Sequence, residues 1–331
     1  MTKRVPTVFM GSDAIALPLL EEIHGFFGAE LDLSGIFTQP DRRSGRGMKR
    51  HPNAIKQWAD AHGVPLLQPV EFAAAESDWL RQSGCNLIIG MAYGQILKQS
   101  VLDIPALGAI NFHASLLPAY RGASPIQAAV ENGEITTGVS MMRMIRKLDA
   151  GPVIDVESVA VRREDFASTV SGNIAEACRP LVRRALPGVL AGGAPGQPQD
   201  DGAATFTHIL NKGDSVLDFC APARNLHNRI RALQPWPGSS FGVNGTPIRI
   251  GASDYDDSAN VDDRRPGEVV ESGSDTLSIA TGGGVLRLLQ LQRPGGRMLA
   301  AGNFLRGFQI QLGVLLEGGL MRRLSESRPT D

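Results

Sequence analysis

The stretch INFHASLLPAYRGASPIQ, residues 110–127, decides how the rest of the chain is read. The apolar run LGAI leads into it and reads as a short strand. Side chains alternate between the faces of a strand, so Asn111 and His113 share one face near its end. A buried polar group without a partner costs roughly 2–7 kcal/mol, so an amide and an imidazole placed there need an explanation. Either both bond to the loop that follows, or both act on a ligand.

The flanking sequence supplies the context. VPTVFMGS reads as a buried strand and DAIALPLLEEIHGFF as the helix after it, with Pro18 in the first turn. LDLSGIFTQ, VPLLQP and CNLIIGMA are further apolar runs, separated by the helical NAIKQWADAHG and AAAESDWLRQSG. Strand and helix alternating at this spacing predict an α/β domain with a mostly parallel sheet. GVSMMRM and PVIDVESVAV can pair antiparallel, and a long helix beginning at ASTVSGN closes the domain. The boundaries expected are 1–190 for this domain, a Gly/Pro/Gln/Asp-rich linker over 191–206, and a smaller, largely β domain over 207–331.

Composition narrows the class. The 331 residues are 42% hydrophobic and carry a net charge of −1, so any polyanion must be met by local clusters. Pro6, Gly11 and Asp13 interrupt the opening apolar run, which argues for a strand and against a signal peptide. No segment approaches the ~18–20 apolar residues needed to span a bilayer. Cys85, Cys178 and Cys220 are widely spaced and suggest neither a disulfide framework nor zinc, so a reducing cytoplasm is expected, with no metal.

Ligands of open α/β sheets bind outside the carboxyl ends of the strands, where Asn111, His113 and the MAYGQIL segment fall. Asp149, in IRKLDAGPV, is either a simple turn-former or a third polar group of the same cleft. An imidazole to move protons, a carboxylate to orient it and an amide to face a developing oxyanion are the parts acyl transfer requires. No serine, cysteine or lysine nucleophile is clearly placed, and no phosphate loop is present, which favours direct transfer between two bound substrates. TQPDRRSGRGMKRHP places Arg42, Arg43, Arg46, Lys49 and Arg50 in one Gly-containing loop with Asp41 as the only acid. Such a loop is either a solvated basic surface or a follower of a phosphate backbone. The arginines of NLHNRIRAL, residues 225–233, are the alternative cationic candidate.

INFHASLLPAYRGASPI with LDAG downstream resembles the signature of the formyltransferases that use 10-formyltetrahydrofolate. VFMGSDAIALPLL, FTQPDRRSGRG, MAYGQIL, LQPWPGSS and PGEVV extend that similarity over nearly the whole chain, toward the branch that acts on methionyl-tRNA. The resemblance implies a Rossmann-like catalytic domain followed by an OB-like β-barrel that binds tRNA. It implies formyl transfer to the α-amine of initiator methionyl-tRNA by a monomeric, cytoplasmic protein. Asn111, His113 and Asp149 fall on the family's catalytic trio. Met91, Ala92, Tyr93, Gly94, Ile96, Leu97, Ser115, Leu116, Leu117 and Pro118 fall on its folate-binding segments. Arg42, Arg43, Arg46, Lys49, Arg50 and Lys212 are the expected tRNA contacts, although Ile209 stands where the family often has lysine. A sugar-amine formyltransferase or a formyltetrahydrofolate hydrolase would share the trio without needing the basic loop. A non-catalytic folate or RNA binder would share the fold without needing the trio.

Overall fold

The computed structural model describes residues 4–44, 49–273 and 275–327. Strands β1 (Val5–Gly11), β2 (Leu31–Phe37), β5 (Leu66–Leu67), β6 (Leu87–Met91) and β7 (Ala109–His113) lie parallel in one sheet. Between β2 and β5, β3 (Arg42–Ser44) and β4 (Lys49–His51) form a separate two-stranded ladder. The sheet continues antiparallel through β8 (Thr136–Arg143) and β9 (Val153–Ala160), giving the order β9-β8-β7-β6-β1-β2-β5. Val8, Phe9, Ile36, Phe37, Ile88 and Ile89 are fully buried, which is why β1, β6 and the end of β2 read as apolar runs: at these positions neither face of the sheet meets water.

Local chemistry fixes the crossovers. Helix α1 (Leu17–His24) takes Pro18 in its first turn, where no intrahelical N–H is lost. Helix α2 (Ala54–His62) is capped by the Asn53 side chain, which accepts from the Lys56 N–H at 2.9 Å, and ends at Gly63 with φ 65°. Helices α3 (Ala74–Gln82), α4 (Gln99–Leu102), α5 (Pro125–Glu131) and α6 (Ala167–Leu190) follow.

The chain divides into two compact units, and the division is not the one composition suggests. Met1–Gly122, Thr136–Ala160 and Ser171–Phe206 form the first; Ala123–Ile135, Val161–Val170 and Thr207–Asp331 form the second. The polar tract 191–206 belongs to the first unit and is held there by hydrogen bonds from the Gln197 backbone and the Gln199 side chain. Gln197 bridges Val153, and Gln199 Nε2 donates to the carbonyls of Asp149 (2.9 Å) and Gly151 (2.7 Å).

The second unit is an antiparallel sheet in the order β10-β11-β14-β13-β12. Its strands are β10 (Ser239–Val243), β11 (Thr246–Asp256), β12 (Val269–Ser272), β13 (Leu277–Ala280) and β14 (Val285–Gln292). Both edge strands bond to one C-terminal segment, Gly242 to Glu317 and Val269 to Gly313 and Val314, which closes the sheet into a barrel. Helix α7 (Ala223–Leu233) packs Leu226 and Ile230 into the core with Phe241, Ile248 and Leu288. Arg224, at its start, is exposed and pairs with Asp257, but the two arginines of NLHNRIRAL are not surface cations. Arg229 is fully buried, pairs with Glu131 and donates to the Asp214 carbonyl at 2.9 Å; Arg231 is buried and donates to the Asp165 carbonyl at 2.6 Å. Arg229 and Arg231 are thus spent on internal partners rather than offered to a polyanion.

Buried Glu22 on α1 is held by α6, accepting from Arg183 at 2.7 and 2.8 Å and from Arg179 at 3.0 Å. Arg183 first, then Arg179, keeps its carboxyl below the ordinary range, against burial, which pushes it up. A depressed carboxylate stabilises the fold above its unfolded pKa and loses that contribution as pH falls through the folded value. Glu22→Gln should therefore cost on the order of 1–3 kcal/mol at neutral pH. It should also flatten the fall in melting temperature on acidification below about pH 4.5, measured by a thermal-unfolding series in pH.

Candidate active site at the carboxyl end of the sheet

His113, the last residue of β7, is 6% exposed, and Asp149, in the loop joining β8 to β9, is 9% exposed. His113 Nε2 lies 2.8 Å from the Tyr120 carbonyl, which can only accept, so this nitrogen carries a proton. Nδ1 then faces Asp149 Oδ2 at 3.6 Å, an ion-pair separation longer than a hydrogen bond. The same carboxylate oxygen accepts from the Gly122 N–H at 2.9 Å. The imidazole is thus fixed between a carbonyl and a carboxylate, and charging it would strengthen both contacts.

The Asp149 loop can take only one path. Asp149 has φ 49°, a left-handed conformation that aspartate tolerates better than most residues. Two residues on, a Cβ on Gly151 would stand 1.8 Å from the Arg143 carbonyl oxygen, so only glycine fits. Gln199 ties down the carbonyls on either side of this turn. LDAG therefore spells a turn that delivers a carboxylate to an imidazole.

Asn111 shares the β7 face with His113 and is partly buried. Among the described residues nothing hydrogen-bonds its side-chain amide. Its neighbour on β6 is Gly90, where a Cβ would approach Asn111 Oδ1 to 3.1 Å. A partly buried amide left without a protein partner has donors to offer to something else.

The two segments expected to bind a folate contribute differently. Met91, Tyr93 and Leu97 side chains are buried, Tyr93 and Leu97 in a core with Val8, Phe37 and Phe72, while Ile96 is 74% exposed. Ala92 (φ 51°) and Gly94 (φ 77°) turn the backbone so that the carbonyls of Ala92, Tyr93 and Gly94 face Ser12 and Gln39. Among the described residues, no acceptor receives the backbone N–H groups of Tyr93–Leu97. Successive free N–H groups in such a turn form a concavity suited to a ligand's oxygens and ring nitrogens. Ser115 is buried, donating from its hydroxyl to the Ala119 carbonyl at 2.6 Å, and its carbonyl accepts from Ser140 Oγ at 2.7 Å. Leu116, Leu117 and Pro118 are partly exposed and can form an apolar wall.

The basic stretch is partly ladder: Arg42 pairs in register with His51, Arg43 with Arg50 and Ser44 with Lys49. Arg46 and the glycines of the tip lie outside the described residues. Arg50 and Lys212 are exposed, as is Ile209 (79%). Burial pushes the Cys85 and Cys178 thiols up to about 12, which removes both as nucleophiles near neutral pH. No described helix is long and apolar enough to cross a membrane. The residue pattern carries no signal for Ser12, Gln39 or Gln199, since each is a lone polar residue whose partners lie far along the chain.

Known proteins provide an independent comparison. The family model "Formyl transferase" matches residues 26–186, and "Formyl transferase, C-terminal domain" matches 209–309. The methionyl-tRNA formyltransferase of Pseudomonas fluorescens (strain SBW25) is 39% identical over 300 residues, covering 90% of this chain and 92% of the relative. That of Janthinobacterium sp. (strain Marseille) is 38% identical, covering 92% of this chain and 98% of the relative. Among solved structures, an N-formyltransferase from Helicobacter canadensis, in complex with folinic acid and dTDP-3-aminofucose, superposes with a TM-score of 0.64 at 17% identity. It covers 87% of this chain and 99% of that one. HypX from Aquifex aeolicus, in complex with tetrahydrofolic acid, gives 0.58 at 16% identity over 92% of this chain, which spans 47% of HypX. At these identities the two structures speak to the fold alone.

Gly151→Ala should destabilise the chain by about 2 kcal/mol or more, because the backbone must move away from the Arg143 carbonyl. Urea unfolding measures it; a loss under about 0.5 kcal/mol, the range of an ordinary surface substitution, would show that the Asp149 turn is not the constraint described.

Proposed function

The chain belongs to the methionyl-tRNA formyltransferase family, and from that membership we propose its reaction: transfer of a formyl group from 10-formyltetrahydrofolate to the α-amine of methionine on initiator tRNA. The observation that carries the site assignment is the buried His113–Asp149 pair beside the unbonded Asn111 amide. The donor, when bound, supplies an activated formyl carbon. The free N–H groups of Tyr93–Leu97 and the apolar 116–118 wall suit its heterocycle, the first through polar contacts and the second through apolar ones.

The attacking amine has an ordinary pKa of about 7.7–8.0, so a useful neutral fraction exists near pH 7. Asn111 donates its amide N–H to the oxygen on which negative charge develops. The nitrogen must shed one proton as the new C–N bond forms, and the donor's departing nitrogen must regain one. The His113–Asp149 pair holds that proton in transit, with the Tyr120 carbonyl and Gly122 N–H keeping both groups in place. The basic 42–50 segment and Lys212 contact the tRNA, the second unit carries its body, and the chain works as a monomer in the cytoplasm.

The direct assay incubates the protein with 10-formyltetrahydrofolate and methionyl initiator tRNA and looks for formylmethionine after deacylation. Its appearance supports the reading; hydrolysis of the donor with no formylmethionine would overturn it. Asn111→Ala, His113→Ala and Asp149→Ala should each lower kcat roughly 10²–10³-fold while the chain still folds, read by steady-state kinetics beside circular dichroism. Replacing Arg42, Arg43 and Arg46 together by Ala should raise KM for tRNA and make its logarithm less steep in log salt, by about 0.7–0.9 for each phosphate no longer neutralised. Donor affinity should not change; its loss would misplace the loop.

A further inference from the structure

Gln39 stands where the chain leaves β2 for the β3–β4 ladder, and both its side chain and its backbone are engaged. Its side-chain amide donates to the carbonyls of Tyr93 (3.0 Å) and Gly94 (3.1 Å). Its backbone N–H donates to Ser12 Oγ at 2.9 Å, and that hydroxyl donates to the Tyr93 carbonyl at 3.1 Å. On the other side, its carbonyl accepts from Asn53 Nδ2 (3.1 Å) and Gln68 Nε2 (3.0 Å). Gln68 Nε2 also donates to Asp41 Oδ1 at 2.9 Å, and Lys56 Nζ bonds the other oxygen of that carboxylate at 2.9 Å. Asp41 immediately precedes β3. One residue therefore joins the Ala92–Leu97 turn to the root of the basic ladder.

The consequence follows from peptide geometry. A peptide plane is rigid, so fixing the Tyr93 and Gly94 carbonyls also fixes the N–H groups of Gly94 and Gln95, which point the opposite way. Those N–H groups are among the ones left without a described acceptor. The fit is close: a Cβ on Gly94 would fall 2.4 Å from Gln39 Nε2, and Gly94 itself sits at φ 77°.

We propose that Gln39 is a positioning residue that presents the Tyr93–Leu97 N–H groups to the formyl donor and ties that turn to the base of the RNA-contacting ladder. This rests on the reading of those two segments as donor and tRNA contacts. Gln39 touches neither substrate; it acts through the backbone it holds.

The test compares wild type, Gln39→Ala, Gln39→Glu and Gln68→Ala. Donor binding is measured by calorimetry with 5-formyltetrahydrofolate and no tRNA, and KM for charged initiator tRNA by kinetics. Gln39→Ala should raise both the donor Kd and the tRNA KM roughly two- to tenfold, the effect of one or two missing hydrogen bonds. Gln39→Glu keeps the side chain's length but turns a carboxylate toward two carbonyls, so it should weaken donor binding at least as much, which a purely packing role would not do. Gln68→Ala loses only the bonds on the ladder side and should raise KM for tRNA alone. Melting temperatures check that the variants fold. An unchanged donor Kd in folded Gln39→Ala or Gln39→Glu would overturn the proposal, as would a donor defect in Gln68→Ala equal to that of Gln39→Ala. A wild-type protein that formylates tRNA yet is insensitive at Gln39 would sink this inference alone; one that binds no 5-formyltetrahydrofolate would overturn the reading beneath it as well.

Discussion

Asp149 is a carboxylate with 9% of its surface in water, 3.6 Å from an equally buried imidazole, and much of the first unit follows from keeping it there. An isolated buried carboxylate would cost far more than the roughly 5–15 kcal/mol by which a domain is stable. The Gly122 N–H donates to it, and the His113 ring faces it at ion-pair distance. That solution demands a left-handed aspartate, a glycine two residues on, and a strand end that stops at His113. The β7–β8 register leaves the end of β8 beside Ile110, so the loop between Arg143 and Val153 itself must carry Asp149 back to the His113 end of β7.

Much of this was legible in the residues. The unbroken apolar runs marked a sheet covered on both faces, and the two-residue spacing of Asn111 and His113 placed them on one face at a carboxyl end, where open α/β sheets carry their sites. Pro18, Asn53 and Gly63 announced helix ends through chemistry that acts over three or four residues. What could not be read was anything whose partner lies far along the chain. Gln199 belongs to a tract whose composition suggests a linker, yet it holds the Asp149 turn through two carbonyls. Arg229 and Arg231 read as cations for a polyanion, and their burial against Glu131 and backbone carbonyls is a tertiary fact. The paired ladder within the basic stretch was hidden because its residues are polar on both faces, which leaves no alternation to detect.

The site also divides its polar work. In the proposed reaction, side chains of β7 and the Asp149 loop face the reacting atoms, whereas the 93–97 turn offers backbone N–H groups and buries Tyr93 and Leu97 in the core. Backbone donors specify a heterocycle without adding titratable groups near His113 and Asp149. Under the same proposal, a net charge near zero leaves RNA recognition to a local cationic segment, whose affinity depends on salt.

The most direct measurement is a crystal structure with 5-formyltetrahydrofolate bound. Its heterocycle should sit on the N–H groups of Tyr93–Leu97 and its formyl group within hydrogen-bond reach of the Asn111 amide, beside the His113–Asp149 pair. A ligand bound away from the carboxyl ends of β6 and β7, or with its formyl group turned away from Asn111, would contradict that placement.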